Sequence, residues 1–352
     1  MTDTITLAGK KVSLGGKPVV VNGRVVTPNG LADAVFEGGG AKGIGHLGAL
    51  AYAESIGIRW VNVAGPSAGA ITAALVAAGY TAAEMEAIMG EIDFRRFKDE
   101  DLVDRVPLVG KVISLVAEKG IYEGDYFEAT MADYLARRRV RTFKDLVIPE
   151  YAGDRKYRYR LRVVASDVSR GKMLVLPEDV RDYGHEPDNL SVARALRMSM
   201  SIPFIFEPAK EKLPATGETC YVVDGGLLSN YPVHLFDQKG APSWPTFGFS
   251  LREPSEARPV RTRIRGPVSM GLAIFNSMFS AMDRRYVEEQ NWDRTIGIPT
   301  LGVGTTDFAL SPARRRALYD SGYQAAKKFF EDWWDWDKHV QARLAGKTME
   351  QL

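Results

Sequence analysis

Between Ala34 and Gly79 the chain twice runs from a short apolar stretch into a glycine-bounded turn and then into a helix-forming segment. Ala34-Val35-Phe36 ends in Gly38-Gly39-Gly40, after which Leu47, Leu50, Ala51 and Ile56 recur at helical spacing up to Gly57 as the C′ residue. Trp60-Val61-Asn62-Val63-Ala64 then ends in Gly65-Pro66-Ser67-Ala68-Gly69 and passes into an alanine-rich helix, Ala70 to Ala78, stopped by Gly79. Strand, loop, helix, strand, turn, helix is the order of an α/β fold, with a parallel sheet and right-handed crossovers.

Further elements follow from the same patterns. Residues 1–30 alternate between short apolar stretches and glycines, as in a β-hairpin or extended arm. Residues 80–150 read as mostly helical, with Ile88, Ile92, Val112, Leu115, Val116, Phe127 and Leu135 as buried candidates. Arg158, Arg160 and Arg162 alternate with Tyr157, Tyr159 and Leu161 before Val163-Val164-Ala165 enters the core, and Ser169-Arg170-Gly171 turns the chain back into Met173 to Leu176. A helix around Ser191 to Met200 stops before Pro203. Tyr221-Val222-Val223 delivers Asp224 into a Gly225-Gly226 turn. Phe247 to Leu251 and Leu301 to Val303 are strand candidates flanking a Met- and Phe-rich helix at 267–290, and the tail from Pro312 to Gln351 is helical and charged.

Composition removes several function classes. The net charge of +2 is too small to imply a nucleic-acid partner, and a single cysteine, Cys220, rules out an internal disulfide or a cysteine-rich metal site. The N-terminus lacks the basic and apolar regions of a secretory signal, and the apolar stretch around Ile71 to Ala78 is far shorter than the roughly 20 residues of a membrane span. A cytoplasmic protein is expected, with association at a membrane surface or signal-peptide-independent export as alternatives.

The two turns carry the chemistry. Gly65-Pro66-Ser67-Ala68-Gly69 matches G-x-S-x-G, in which a sharp strand-to-helix turn exposes the serine Oγ at a helix N-terminus; the plain structural use of such a serine is an N-cap. Gly38-Gly39-Gly40-Ala41-Lys42-Gly43 formally satisfies G-x-G-x-x-G, but no acidic residue closes the next strand as dinucleotide binding requires. An oxyanion hole built from backbone N–H groups, or a tight turn, remains. Of the four histidines, none sits where an α/β-hydrolase places its base; His46 reads as a packed residue, and His234 is the one triad candidate. Asp224 ends a strand before two glycines, so it is either a buried base or an Asp-Gly turn.

Together, Phe36 to Gly43, Gly65 to Ala70 and Asp224-Gly225-Gly226 resemble the patatin-like phospholipases. Gly120 to Asp125, Thr142 to Leu146, Ala195 to Phe206 (with Ser199-Met200-Ser201-Ile202-Pro203) and Asp224 to Pro232 resemble them too. The resemblance implies a three-layer α/β/α fold with a mainly parallel central sheet, a catalytic domain over 31–330 between an N-terminal extension and a helical tail at 331–352, and hydrolysis of lipid acyl esters by a Ser–Asp dyad. It assigns Ser67 as nucleophile and Asp224 as general base. Gly38, Gly39, Gly40, Ala41, Lys42 and Gly43 become the oxyanion loop, Gly65, Pro66, Ala68 and Gly69 the nucleophile elbow, and Gly225 and Gly226 the base turn. Pro66 stands where the family often has threonine. No metal or other cofactor is implied; the expected partner is a phospholipid or other acyl-ester substrate, with peripheral membrane contact. An acyltransferase or non-lipid esterase using the same dyad, a silent lipid-binding protein and a nucleotide-binding protein are the competing readings. Met270, Ile274, Phe275, Met278, Phe279 and Met282 share one helical face, for which core packing is favoured over an acyl channel or membrane contact. Arg137 to Arg139, Arg261 to Arg265 and Arg314 to Arg316 are read as solvated faces, and Trp333-Trp334-Asp335-Trp336 as an anchor docking the tail on the body.

Overall fold

The computed structural model describes residues 4–91, 121–203, 205–238, 240–252, 264, 266, 270, 273, 274, 291–305, 307, 309–345 and 349. Its first strands, β1 (Thr4–Leu7) with β2 (Lys10–Ser13) and β3 (Val19–Val21) with β4 (Arg24–Thr27), pair as two antiparallel hairpins apart from the main sheet. Their tips explain them: Ala8-Gly9 and Asn22-Gly23 all adopt positive φ, the backbone that a two-residue hairpin turn demands. Thr6 fastens the first hairpin by donating its N–H and hydroxyl to Glu150.

The central sheet has eight described strands. β5 (Leu31–Phe36), β6 (Arg59–Pro66), β7 (Leu161–Asp167), β11 (Thr246–Arg252) and β12 (Thr295–Pro299) run parallel in the order β12-β11-β5-β6-β7. β8 (Lys172–Leu176), β9 (Ala209–Lys212) and β10 (Thr219–Asp224) add antiparallel pairs, β8 and β10 on β7, and β9 on β10. The last parallel strand is Thr295–Pro299, not Leu301 to Val303. Ile296 and Ile298 alternate into the core, whereas Leu301 and Gly302 adopt positive φ in the turn that follows.

Helices flank the sheet: α1 (Ile44–Ser55), α2 (Ser67–Ala77), α3 (Ala82–Glu91), α4 (Ile121–Arg137), α5 (Val192–Ser199), α6 (Pro312–Lys328) and α7 (Trp336–Ala345). One face of the sheet, with Phe36, Val63 and Phe249, packs against α1, α2 and α5 in the main core; on the other, Val35 and Ala64 pack under the short helical turn Val233–Phe236. Every residue of α2 is buried, so its alanines are a spatial requirement. A larger side chain at Ala73 or Ala74 overpacks the core, at a cost of about 1–3 kcal/mol. Trp334, fully buried, stacks on Phe329, meets Phe247 edge to face and donates its indole N–H to Val26 O at 2.8 Å, so the tail docks on the body and on the N-terminal arm.

Ile88, Phe127 and Leu135 are buried as expected, while Ile92, Val112, Leu115 and Val116 lie outside the described residues, as do Phe275, Met278, Phe279, Met282, Arg261, Arg263 and Arg265. Met270 and Ile274 are about half exposed, so core packing does not hold for these two. Arg137 pairs with Asp133 and Arg316 with Asp320 on solvated helix faces.

Candidate active site

β6 is buried from Trp60 onward and ends at Pro66, where the chain turns straight into α2. Ser67, at the corner, has φ +52, a left-handed backbone that costs a side-chain-bearing residue about 1–3 kcal/mol. The glycines on either side are there because β5 passes so close. A Cβ at Gly65 would lie 2.6 Å from Phe36 O, and one at Gly69 would collide with the same carbonyl. The strained serine is held from outside the turn: its N–H donates to Ser199 Oγ at 2.8 Å, and Ser199 Oγ donates to Val164 O at 2.7 Å.

Asp224 reaches the same place along another strand. β8 occupies one edge of β7 from Val163 to Asp167, so β6 and β10 must share the opposite edge. On that edge Pro66 lies opposite Val164 and Asp224 opposite Ala165, so the two strands meet head to head with their last residues one step apart. A Cβ at Gly225 would lie 2.9 Å from Pro66 Cβ, which measures how closely the two turns abut. Asp224 is fully buried, with Oδ1 accepting the Gly226 N–H at 2.8 Å and its own N–H donated to Ser201 O at 2.9 Å. Burial pushes its carboxyl up to about 7, against the Ser67 side chain and the Gly226 N–H, which pull it down. Oδ2 has no completed hydrogen bond among the described residues, and the nearby Ser67 Oγ rests 3.6 Å from Met200 Sδ.

The glycine loop ends β5 on the same side. Its N–H groups divide into two sets. Gly38 donates to Asn230 O, Ala41 to Thr305 O and Lys42 to Gly39 O, whereas the N–H groups of Gly39 and Gly40 have no acceptor among the described residues. Gly40 has φ +54, and a side chain there would run into the Thr305 carbonyl. Glu37 supports the loop from below, with its carboxylate accepting the Leu251 N–H and the Asn230 amide. Two open donors, a strained serine and a buried carboxylate at one sheet edge can carry out acyl transfer.

The patatin-like phospholipase family model matches residues 34–237, a span that takes in the glycine loop, Ser67 and Asp224. This chain belongs to the patatin-like phospholipase family. It is thereby a lipid acyl hydrolase in class. The uncharacterized protein YqhO of Bacillus subtilis strain 168 is 38% identical over 301 residues, covering 86% of this chain and 98% of its own length. The uncharacterized protein R571 of Acanthamoeba polyphaga mimivirus is 24% identical over 313 residues, covering 85% and 93% respectively. VipD from Legionella pneumophila shares the fold, with a TM-score of 0.53 at 18% identity over 88% of this chain and 68% of its own.

In this patatin-like chain the histidines stand elsewhere. His46 is buried against Phe36 and desolvation lowers it to about 3; His339 packs on Trp334 and is likewise lowered to about 3. His185 pairs with Glu211, and the charges acting on His234 are those of Asp237 and Arg294. Sequence reading placed Ser199 and Ser201 in the family resemblance without a role; the brace on Ser67 and Asp224 comes from them. Their signal was the Ser199-Met200-Ser201 run just ahead of Ile202-Pro203, where the chain leaves α5. Beside Ser67 opens an apolar pocket, lined on one side by Ala68, Ile71, Thr72 and Leu75 of α2 and closed by Met89, Met200 and Leu310. Among the described residues no helix is long and apolar enough to cross a membrane.

Proposed function

We propose that this patatin-like chain cleaves the acyl ester bonds of phospholipids or lysophospholipids through a Ser67–Asp224 dyad. The observation carrying the reading is the meeting of β6 and β10 on one edge of β7, which brings a strained serine to a buried carboxylate whose Oδ2 is unshared. Asp224, ionised above its raised pKa, accepts the Ser67 proton as Oγ bonds to the ester carbonyl carbon. The carbonyl oxygen takes up the negative charge and is held by the N–H groups of Gly39 and Gly40. Collapse breaks the C–O bond, and the proton held by Asp224 passes to the leaving alcohol. Water, losing a proton to Asp224, then attacks the acyl-serine; the C–Oγ bond breaks, the proton passes from Asp224 back to Ser67 Oγ, and the fatty acid is released. The exposed Met270 and Ile274 support contact with a lipid surface during this cycle.

The test is hydrolysis of a fluorogenic acyl ester and of phospholipid vesicles by wild type and Ser67→Ala. Loss of turnover in a variant with an unchanged circular dichroism spectrum is the expected result. Wild-type turnover by Ser67→Ala would overturn the reading. Transfer of the acyl group to an added alcohol in preference to water would reassign the chain as an acyltransferase.

A further inference from the structure

Among the described residues, the apolar pocket beside Ser67 is lined by one charged side chain. Along α2 its wall is Ala68, Ile71, Thr72 and Leu75, an i, i+3, i+4, i+7 stripe spanning roughly 10 Å from the nucleophile. Ile44 and Leu47 of α1, Met89 of α3 and Leu310 add further apolar lining among the described residues. Arg315, in the first turns of α6, belongs to this lining and is half-buried.

The polar groups of the pocket are unequally committed. Thr72 Oγ1 donates to Ala68 O at 3.2 Å, an ordinary bond within the helix. Arg315 Nε donates to Leu310 O at 3.2 Å, which fixes the base of the guanidinium against the pocket. The terminal amino groups of Arg315 have no acceptor and no ion-pair partner among the described residues. The adjacent Arg316, by contrast, is paired with Asp320 and Glu86. A neutral fatty chain in this pocket strips water from the guanidinium and offers nothing in exchange. A carboxylate or phosphate oxygen offers a charge-assisted, two-point contact.

We propose that Arg315 is a specificity-determining residue that selects ester substrates bearing an anionic oxygen group within reach of the acyl pocket. The proposal rests on the Ser67–Asp224 reading for the position of the scissile bond. The anion sits on one of two sides of that bond. On the acyl side it is a carboxylate ending a short chain, and on the alcohol side it is a phosphate.

Two matched substrate pairs separate these sources. One compares the 4-nitrophenyl monoester of octanedioic acid with 4-nitrophenyl octanoate, and the other compares an acylglycerol phosphate with the same acylglycerol. Wild type is expected to prefer the anionic member of one pair, which identifies the side. Arg315→Gln should lower that ratio of kcat/KM by about ten- to a hundredfold. Arg315→Lys should retain part of it. Arg315→Glu should reverse it in favour of a 4-nitrophenyl ester whose chain ends in an ammonium group. A ratio that is the same in wild type and all three variants, in both pairs, overturns the proposal. Failure of the underlying dyad looks different, as hydrolysis of the neutral esters that persists in Ser67→Ala. Binding of monomethyl octanedioate and of methyl octanoate to Ser67→Ala, measured by titration calorimetry, reads the acyl-side preference without turnover. Binding of inorganic phosphate to the same variant reads the alcohol side. No Arg315-dependent preference in either measurement also overturns the proposal.

Discussion

Asp224 and Asp33 lie in one sheet and in nearly the same physical state. Both are buried, at 0% and 2% exposed, and desolvation pushes each carboxyl up to about 7. They differ in company. Asp33 sits where β5 and β6 slip register between Ala32 and Ala34, and its Oδ1 accepts the Asn62 N–H at 3.0 Å at that irregularity. The charges of Arg162 and Lys156 also act on it. Asp224 has the Gly226 N–H on one oxygen and a serine hydroxyl beside the other. Burial gives both carboxylates the strength of a base near neutral pH. Only the neighbour decides whether there is a proton worth taking.

The sharpest way to break this comparison is to neutralise each carboxylate in turn. Asp224→Asn should lower ester turnover by at least about a thousandfold, the scale of general-base catalysis, while Asp33→Asn stays within about threefold of wild type. Equal losses would erase the distinction. In wild type kcat/KM should rise through about pH 7 as Asp224 ionises, and Asp33→Asn should leave that midpoint in place.

Stability should treat the two alike. Each folded-state pKa stands above the ordinary value of 3.8, so between about pH 4 and pH 7 the folded chain holds protons that the unfolded chain has released. Each carboxylate therefore makes the fold less stable as pH rises through that window, and costs up to a few kcal/mol above it. Urea unfolding should show Asp33→Asn and Asp224→Asn gaining on wild type from pH 4 to pH 8. A gain that shrinks with rising pH would contradict the assigned direction.

Smaller effects test the surroundings. Ser199→Ala removes the acceptor of the Ser67 N–H, and kcat should fall about tenfold with KM nearly constant. Ser199→Thr keeps a hydroxyl and should recover part of the loss; a change confined to KM would point to substrate contact instead. His234→Ala should alter turnover less than threefold, because its charged neighbours are Asp237 and Arg294.

What the sequence disclosed was whatever had a local cause. The strand–turn–helix around Ser67 and the glycine loop after Phe36 were legible because sharp turns demand small residues at fixed offsets. The parallel order of β5 and β6 followed from their helical connections. Long-range pairing was not legible. Nothing near Ser199 in the chain announces that its hydroxyl will brace a serine 132 residues earlier, or that Asp224 will stop one step from Pro66 along β7. Asp33 escaped notice because a single acidic residue in an apolar run gives no sign of the register slip it repairs. The misplaced strand at Leu301 to Val303 has a similar origin: the true strand, Thr295–Pro299, is short and interrupted by Gly297, and only its pairing with β11 reveals it.

The shared edge of β7 also bears on how such a chain can diversify. Ser67 and Asp224 are held together by backbone pairing to one strand and not by the path of the chain between them. That intervening chain, from the end of α2 to the start of β10, can therefore be lengthened, trimmed or replaced outside β7 and the Ser199–Ser201 brace without moving the pair. Loops are free to vary there, while Ser67 and Asp224 stay in register.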